Sequence, residues 1–204
     1  MKRRMLNTLL LTLLVMGSAA LTPAQSTQAP KTAATPATAT PAAGFRAEFM
    51  RQLDDMEKKY VDLAQAVPQE KYAWRPGEGV RSMSEVFMHL AVANFFIPQF
   101  VGAKPPAGID RNMERTVTDK TKVVEMLKQS FDHVRQAAMN TPETDLDKPA
   151  TFFGRATTVR DVFFTMATHM HEHLGQSIAY ARMNSIVPPW TAARATGGPP
   201  RPRQ

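Results

Sequence analysis

Four stretches of this chain repeat apolar residues at alternating steps of three and four, and that period decides what it can fold into. Phe49, Leu53, Met56, Tyr60, Leu63 and Val67 form the first series. Met83, Phe87, Leu90, Asn94, Ile97 and Val101 form the second, and Val124, Leu127, Phe131, Val134 and Ala138 the third. The last runs Val162, Met166, His169, His173, Gln176 and Tyr180. A helix of 3.6 residues per turn puts each series on one face, and four such faces bury one another in an antiparallel bundle. Period-two alternation is scarce, so the expected fold is an all-α four-helix bundle.

Start and stop signals agree with that reading. Ser82 followed by Glu85 is a capping-box pattern for the second helix. Thr118 before Asp119 and Thr158 before Asp161 predict capped starts with an early acid for the third and fourth. Pro105-Pro106 and Pro188-Pro189 are the expected stops of the second and fourth. Gly175 lies inside the fourth series, where glycine costs about 1 kcal/mol relative to alanine, so close packing against a neighbouring helix is expected there. Trp74 is expected to plug the bundle end.

The flanks differ in kind. Lys2, Arg3 and Arg4 precede the apolar run "LLLTLLVM" and the small residues "GSAA", the layout of a secretory signal peptide. The run is short for a membrane span, and cleavage after Ala20 or Ala24 is expected. An uncleaved anchor is the alternative. Residues 25–43 are almost entirely Ala, Thr and Pro, a composition that buries no core and reads as a tether. The expected organisation is therefore a signal peptide over 1–24, a linker over 25–43, the bundle over 44–187 and a Pro/Arg-rich tail over 188–204. Both tails are expected to be disordered, with Trp190 placed to fold back onto the bundle. The destination is periplasmic or extracellular, without a stable membrane span once the signal is removed.

The formal charge of +7 invites a nucleic-acid partner, but its distribution removes it. Lys2, Arg3, Arg4 and Lys31 precede the bundle, Arg194, Arg201 and Arg203 follow it, and residues 44–189 balance to zero. No nucleic-acid face is expected. The chain has no cysteine, which excludes disulfides, a cysteine nucleophile and thiolate metal ligands.

Three of the five histidines fall within "THMHEHLGQ", residues 168–176. His169 and His173 are four apart, so both rings lie on the inward face one turn from each other. That spacing lets two imidazoles reach one cation. His171 and Glu172 point elsewhere. Spacing alone leaves two readings open: a metal site, or a polar seam in which each buried ring nitrogen finds a hydrogen-bond partner. The H-x-x-E-H order within this stretch is also that of a metallopeptidase class. Nothing acidic follows Glu172 to complete such a site, and that reading is set aside. Upstream, His89 lies on a second apolar row with Val86, Ala93, Phe96 and Phe100, and is the better third ligand. His133, beside Asp132 and off its apolar row, is expected to be solvated. Asn94 and Gln176 either orient a ligand or bond across the bundle.

The stretches "YAWRPGEGVRSMSEVFMHLAVANFF" and "HMHEHLGQSIAYARMNSIVPP" resemble the DinB-like superfamily of four-helix metal proteins. The resemblance spans roughly residues 45–187. It implies a triad of His89, His169 and His173 around a divalent cation, zinc or nickel, with coordination positions left open for water or substrate. Relatives in that superfamily include S-transferases dependent on bacillithiol or mycothiol and a maleylpyruvate isomerase. In such chemistry the cation stabilises a cosubstrate thiol as thiolate, which needs no cysteine from the protein. The resulting expectation is an exported metal-dependent transferase or hydrolase acting on a small molecule. The alternative is a non-catalytic, metal-stabilised bundle that binds a small ligand or a protein partner. A homodimer fits either.

Overall fold

In a computed structural model, which describes residues 44–195 and 197, each of the four periodicities is a helix. They are α1 (Phe45–Ala66), α2 (Met83–Phe96), α4 (Lys120–Asn140) and α5 (Val159–Met183). A short α3 (Met113–Thr116) precedes α4. The signal peptide and linker assigned to residues 1–43, and the end of the tail, lie outside the described residues.

Every member of the first apolar series is buried, as are Leu127, Phe131, Val134 and Ala138 on α4. Helix α2 carries a single charged residue, Glu85, and is buried on most of its circumference. It packs against both α4 and α5, and α1 packs against the same two. The sequence neighbours α1 and α2 therefore occupy opposite corners of the bundle. Aromatic contacts join the layers: Tyr60 meets Phe131 at 5.8 Å and Phe49 meets Phe163 at 5.1 Å between ring centroids. Burying a Leu or Phe side chain stabilises by about 1.5–3 kcal/mol, so these rows, rather than helix propensity, hold the bundle together.

Two polar ties run through this core. The Tyr60 hydroxyl donates to the Met170 carbonyl at 2.7 Å, pinning α1 to α5 beside His169. Burial pushes the Tyr60 phenol well above its usual range, so it remains a donor. Asn94 Nδ2 donates to Ser130 Oγ at 3.4 Å, bridging α2 and α4. Of its two expected roles, Asn94 takes the bond across the bundle.

Boundaries follow local chemistry with some corrections. Ser82 and Glu85 form the full capping box, and Thr158 caps α5. On α4 the cap is Asp119 rather than Thr118, its carboxylate accepting from the Lys122 amide. Helix α2 ends before Pro105-Pro106: Pro98 brings on a 3-10 turn over Ile97–Val101, closed by Gly102 in the left-handed region. Helix α5 ends before Pro188-Pro189 because Ser185 turns to φ 60°, with Ile186 N bonded to Ala181 O and Ser185 N to Arg182 O. That double bond pattern is a Schellman stop made without glycine. The tail opens with α6 (Pro189–Ala195), and Trp190 packs back onto the core as expected. Trp74 meets Tyr180 edge-on at 5.4 Å at the bundle end.

The helical pattern does not reveal a hairpin between α4 and α5. Strands β1 (Pro149–Phe152) and β2 (Arg155–Thr158) pair antiparallel around Phe153-Gly154. Both turn residues have positive φ, 47° and 81°, as a two-residue hairpin turn requires. Asn-Gly announces such a turn in sequence; Phe-Gly does not, and four-residue strands are too short to show alternation.

Gly175 is exposed, and a Cβ placed there meets nothing within 4 Å. The expected close packing is absent, which leaves only the entropic cost of glycine in a helix. Gly175→Ala is expected to stabilise the protein by about 0.5–1 kcal/mol in urea unfolding; a loss of stability would show a hidden packing role.

Candidate metal centre

Helix phase aims three imidazoles at one point. The capping box sets the start of α2, and two turns later His89 faces α5. On α5, the four-residue spacing puts His169 above His173. Ring centroids are 5.3 Å apart for His89 and His169, 4.7 Å for His89 and His173, and 4.5 Å for His169 and His173. One ring nitrogen from each lies within 4.8 Å of the other two. Spacing assigned the α5 pair, and the fold brings His89 to meet it.

Each outer nitrogen of two rings is held by a specific acceptor. His89 Nδ1 donates to Glu114 Oε2 at 2.8 Å, and Glu114 Oε1 accepts from Arg81 Nε at 2.7 Å. His173 Nδ1 donates to Gln176 Oε1 at 2.9 Å, and Gln176 Nε2 donates to the Tyr180 hydroxyl at 3.0 Å. An Nδ1 hydrogen bond to an acceptor fixes the tautomer with the lone pair on Nε2. His89 Nε2 then lies 3.3 Å from His169 Nε2. Two nitrogens each about 2.1 Å from a tetrahedral zinc are about 3.4 Å apart, so this pair already has the edge length of such a site. The three histidines could hold a metal ion.

Electrostatics favour the neutral, ligating form. Burial lowers His169 to about 4, assisted by the neighbouring His173, His89 and Arg81. Burial also lowers His89, against the opposing pull of Glu114. For Glu114 burial acts upward, but the bonds from Arg81 and His89 outweigh it and hold the carboxyl below its usual range.

A family model for the DinB superfamily matches residues 52–177, a span containing all three histidines and both acceptors. The chain belongs to the DinB superfamily. Two crystal structures share its fold. One is a DinB-like protein from Bacillus cereus with a TM-score of 0.62 and 17% identity, covering 69% of this chain and 93% of that one. The other is a DinB-like protein from Bacillus subtilis with a TM-score of 0.55 and 19% identity, covering 68% and 92%. No curated protein matches the chain.

The DinB bundle opens at this point. A cavity of about 500 Å³ has His89 and His169 in its wall, with Glu114 and Arg111 beside them. Its remaining surface is mostly apolar: Phe96 and Phe100 from the end of α2 and its 3-10 turn, and Phe152 and Phe153 from the hairpin. His173, 8% exposed, sits behind the other two and does not line it. Phe153 holds a left-handed conformation that costs an L-residue with a Cβ about 1–3 kcal/mol.

The other histidines divide as follows. His171 is exposed and contacts Gln52, turned from the triad as the period requires. Glu172 is exposed as well. His133, expected to be solvated, is half-buried against Phe95 with ring centroids 5.9 Å apart, and burial lowers its pKa. It lies on α4 and takes no part in the triad. Glu114, Arg81 and the hairpin phenylalanines escaped the sequence reading. The need for a carboxylate behind a buried imidazole was legible, but a four-residue helix in a long connection gives no phase to single out Glu114.

Histidine in the unfolded chain titrates near 6.5. Between there and about 4, the unfolded state takes up a proton that buried His169 refuses, so stability rises with pH and falls on acidification through that window. Metal-free protein should lose urea stability from pH 7 to pH 5, and His169→Gln should lose less. Equal losses in both would remove His169 as the cause.

Proposed function

We propose that this protein is a metal-dependent transferase or hydrolase in which His89, His169 and His173 hold one divalent cation, zinc or nickel. The supporting observation is a three-imidazole cluster, its members within 4.8 Å of one another, at the wall of a cavity large enough for a small-molecule substrate. When bound, the cation supplies Lewis acidity, bringing the pKa of a thiol or water toward neutrality. The chain's own residues do the rest. Glu114 and Gln176 hold the rings of His89 and His173 by their Nδ1 protons, and burial keeps His169 unprotonated at neutral pH. Phe96, Phe100 and Phe152 give the cavity an apolar wall.

Because relatives in the DinB-like superfamily include thiol-dependent S-transferases, a low-molecular-weight thiol is the first cosubstrate to test. A purely structural ion calls for a fourth protein ligand. Among the described residues the cluster ends at three, with the Glu114 carboxylate already committed to His89 and Arg81. The signal-peptide pattern of residues 1–24 supports a site of action outside the cytoplasm, in the periplasm or beyond.

Elemental analysis of protein purified without added chelator is expected to give about one equivalent of zinc or nickel, by the ligand set. The His169→Ala, His173→Ala double variant should retain none; metal at full occupancy in that variant sinks the site. Glu114→Gln should bind the cation about 10–100-fold more weakly in chelator competition, as loss of an outer-shell carboxylate does. Unchanged affinity would reduce Glu114 to a surface ion pair.

A further inference from the structure

We infer that the cavity beside the histidines takes an amphiphilic anion, its apolar body against Phe96, Phe100, Phe152 and Phe153 and its single negative group at Arg111. The inference deepens the reading above and rests on it for the reacting end, which lies at His89 and His169. The nature of the ligand rests on separate observations.

The first is the wall. Phe100 meets Phe152 edge-on and Phe153 at a tilt, ring centroids 5.0 and 4.9 Å apart, forming an aromatic cluster in the same cavity wall as the histidines. Phe153 is 70% exposed, so its ring buries little for the fold, yet its backbone is held at φ 47°. Asparagine suits that left-handed position better than phenylalanine. Strain kept at a cavity mouth, with an aromatic ring left uncovered, is the pattern of a residue serving a ligand.

The second is charge. The lining includes two residues that carry charge at neutral pH, Glu114 and Arg111. Glu114 accepts hydrogen bonds from both Arg81 and His89, so its charge is compensated. Arg111 makes no ion pair among the described residues; its guanidinium lies 4.3 Å from the centre of the Phe96 ring. A cation resting on an aromatic face and lacking a carboxylate partner presents its N–H fork to an incoming anion. The cavity volume of about 500 Å³ suits a ligand with one or two rings or a medium acyl chain.

Two fluorescent probes of one skeleton separate these features: 8-anilinonaphthalene-1-sulfonate, an anion, and N-phenyl-1-naphthylamine, which lacks the sulfonate. Both are titrated into the protein as purified, with metal content measured on the same samples. The anionic probe should bind with one-to-one stoichiometry, and Arg111→Gln should weaken it by about fivefold while leaving the neutral probe within about twofold. Phe153→Asn should weaken both probes by about three- to tenfold while melting no lower than wild type, because the turn is relieved of strain. Phe164→Ser, on the separate groove between α1 and α5, should change neither.

The proposal is overturned if Arg111→Gln affects the two probes equally, if Phe153→Asn keeps full affinity, or if Phe164→Ser is the variant that loses binding. Any of these with one equivalent of metal still bound removes the ligand class and leaves the metal site standing. Loss of metal alone, with probe selectivity intact, does the reverse.

Discussion

Three imidazoles placed against an apolar core carry a cost, and the rest of this bundle is arranged around meeting it. A buried polar group without a partner costs about 1–3 kcal/mol, and each ring brings two nitrogens. Glu114 and Gln176 each satisfy one nitrogen on His89 and His173. The free nitrogen of His89 faces one on His169 across about the distance that a shared tetrahedral cation requires, and one from His173 lies within 4.8 Å of both. The Tyr60 bond to the Met170 carbonyl holds α5 in place beside them, so the cluster is fixed by backbone as well as by side chains. Burial then depresses His169 and His89, keeping lone pairs free at neutral pH.

The site divides its tasks between regular and irregular parts of the fold. The three histidines stand on long helices, whose positions are set by many buried contacts and hold a geometry closely. The rest of the cavity wall adds to α2 and α5 a 3-10 turn, the segment leading into a four-residue helix, and a two-stranded hairpin. Such segments vary more easily without disturbing the bundle, which suits them to deciding what enters. Phe153 shows the trade: the hairpin accepts a strained turn, and the cavity gains an exposed ring.

Most of the bundle could be read from the chain because burial imposes a period on sequence. The row Phe49, Leu53, Met56, Tyr60, Leu63 is buried throughout, and the phase that separates His169 and His173 from His171 holds. Helix ends were less legible. Pro105 and Pro188 mark where a helix cannot continue, yet Pro98 and Ser185 stop α2 and α5 earlier through local backbone geometry. Gly175 suggested a close helix approach and has open space around it. Proximity in sequence to Asp132 suggested that His133 was solvated, whereas Phe95 on another helix covers it in part. For Gly175 and His133 a neighbour distant in sequence, or its absence, decided the outcome.

By itself the sequence determined the helices, their inward faces, and that two histidines one turn apart share one of those faces, because helical period is a local property of the chain. It also determined that any metal here must be held without thiolate, since there is no cysteine. Only the tertiary structure decided that His89 meets His169 at 3.3 Å and closes the triad, that Glu114 and Arg81 stand behind it, and that the hairpin closes an aromatic cavity lined in part by Arg111. Those contacts join residues 25 to 80 positions apart through connections without a period. Their directions are set by how α2, α3 and α5 pack, which no local pattern encodes.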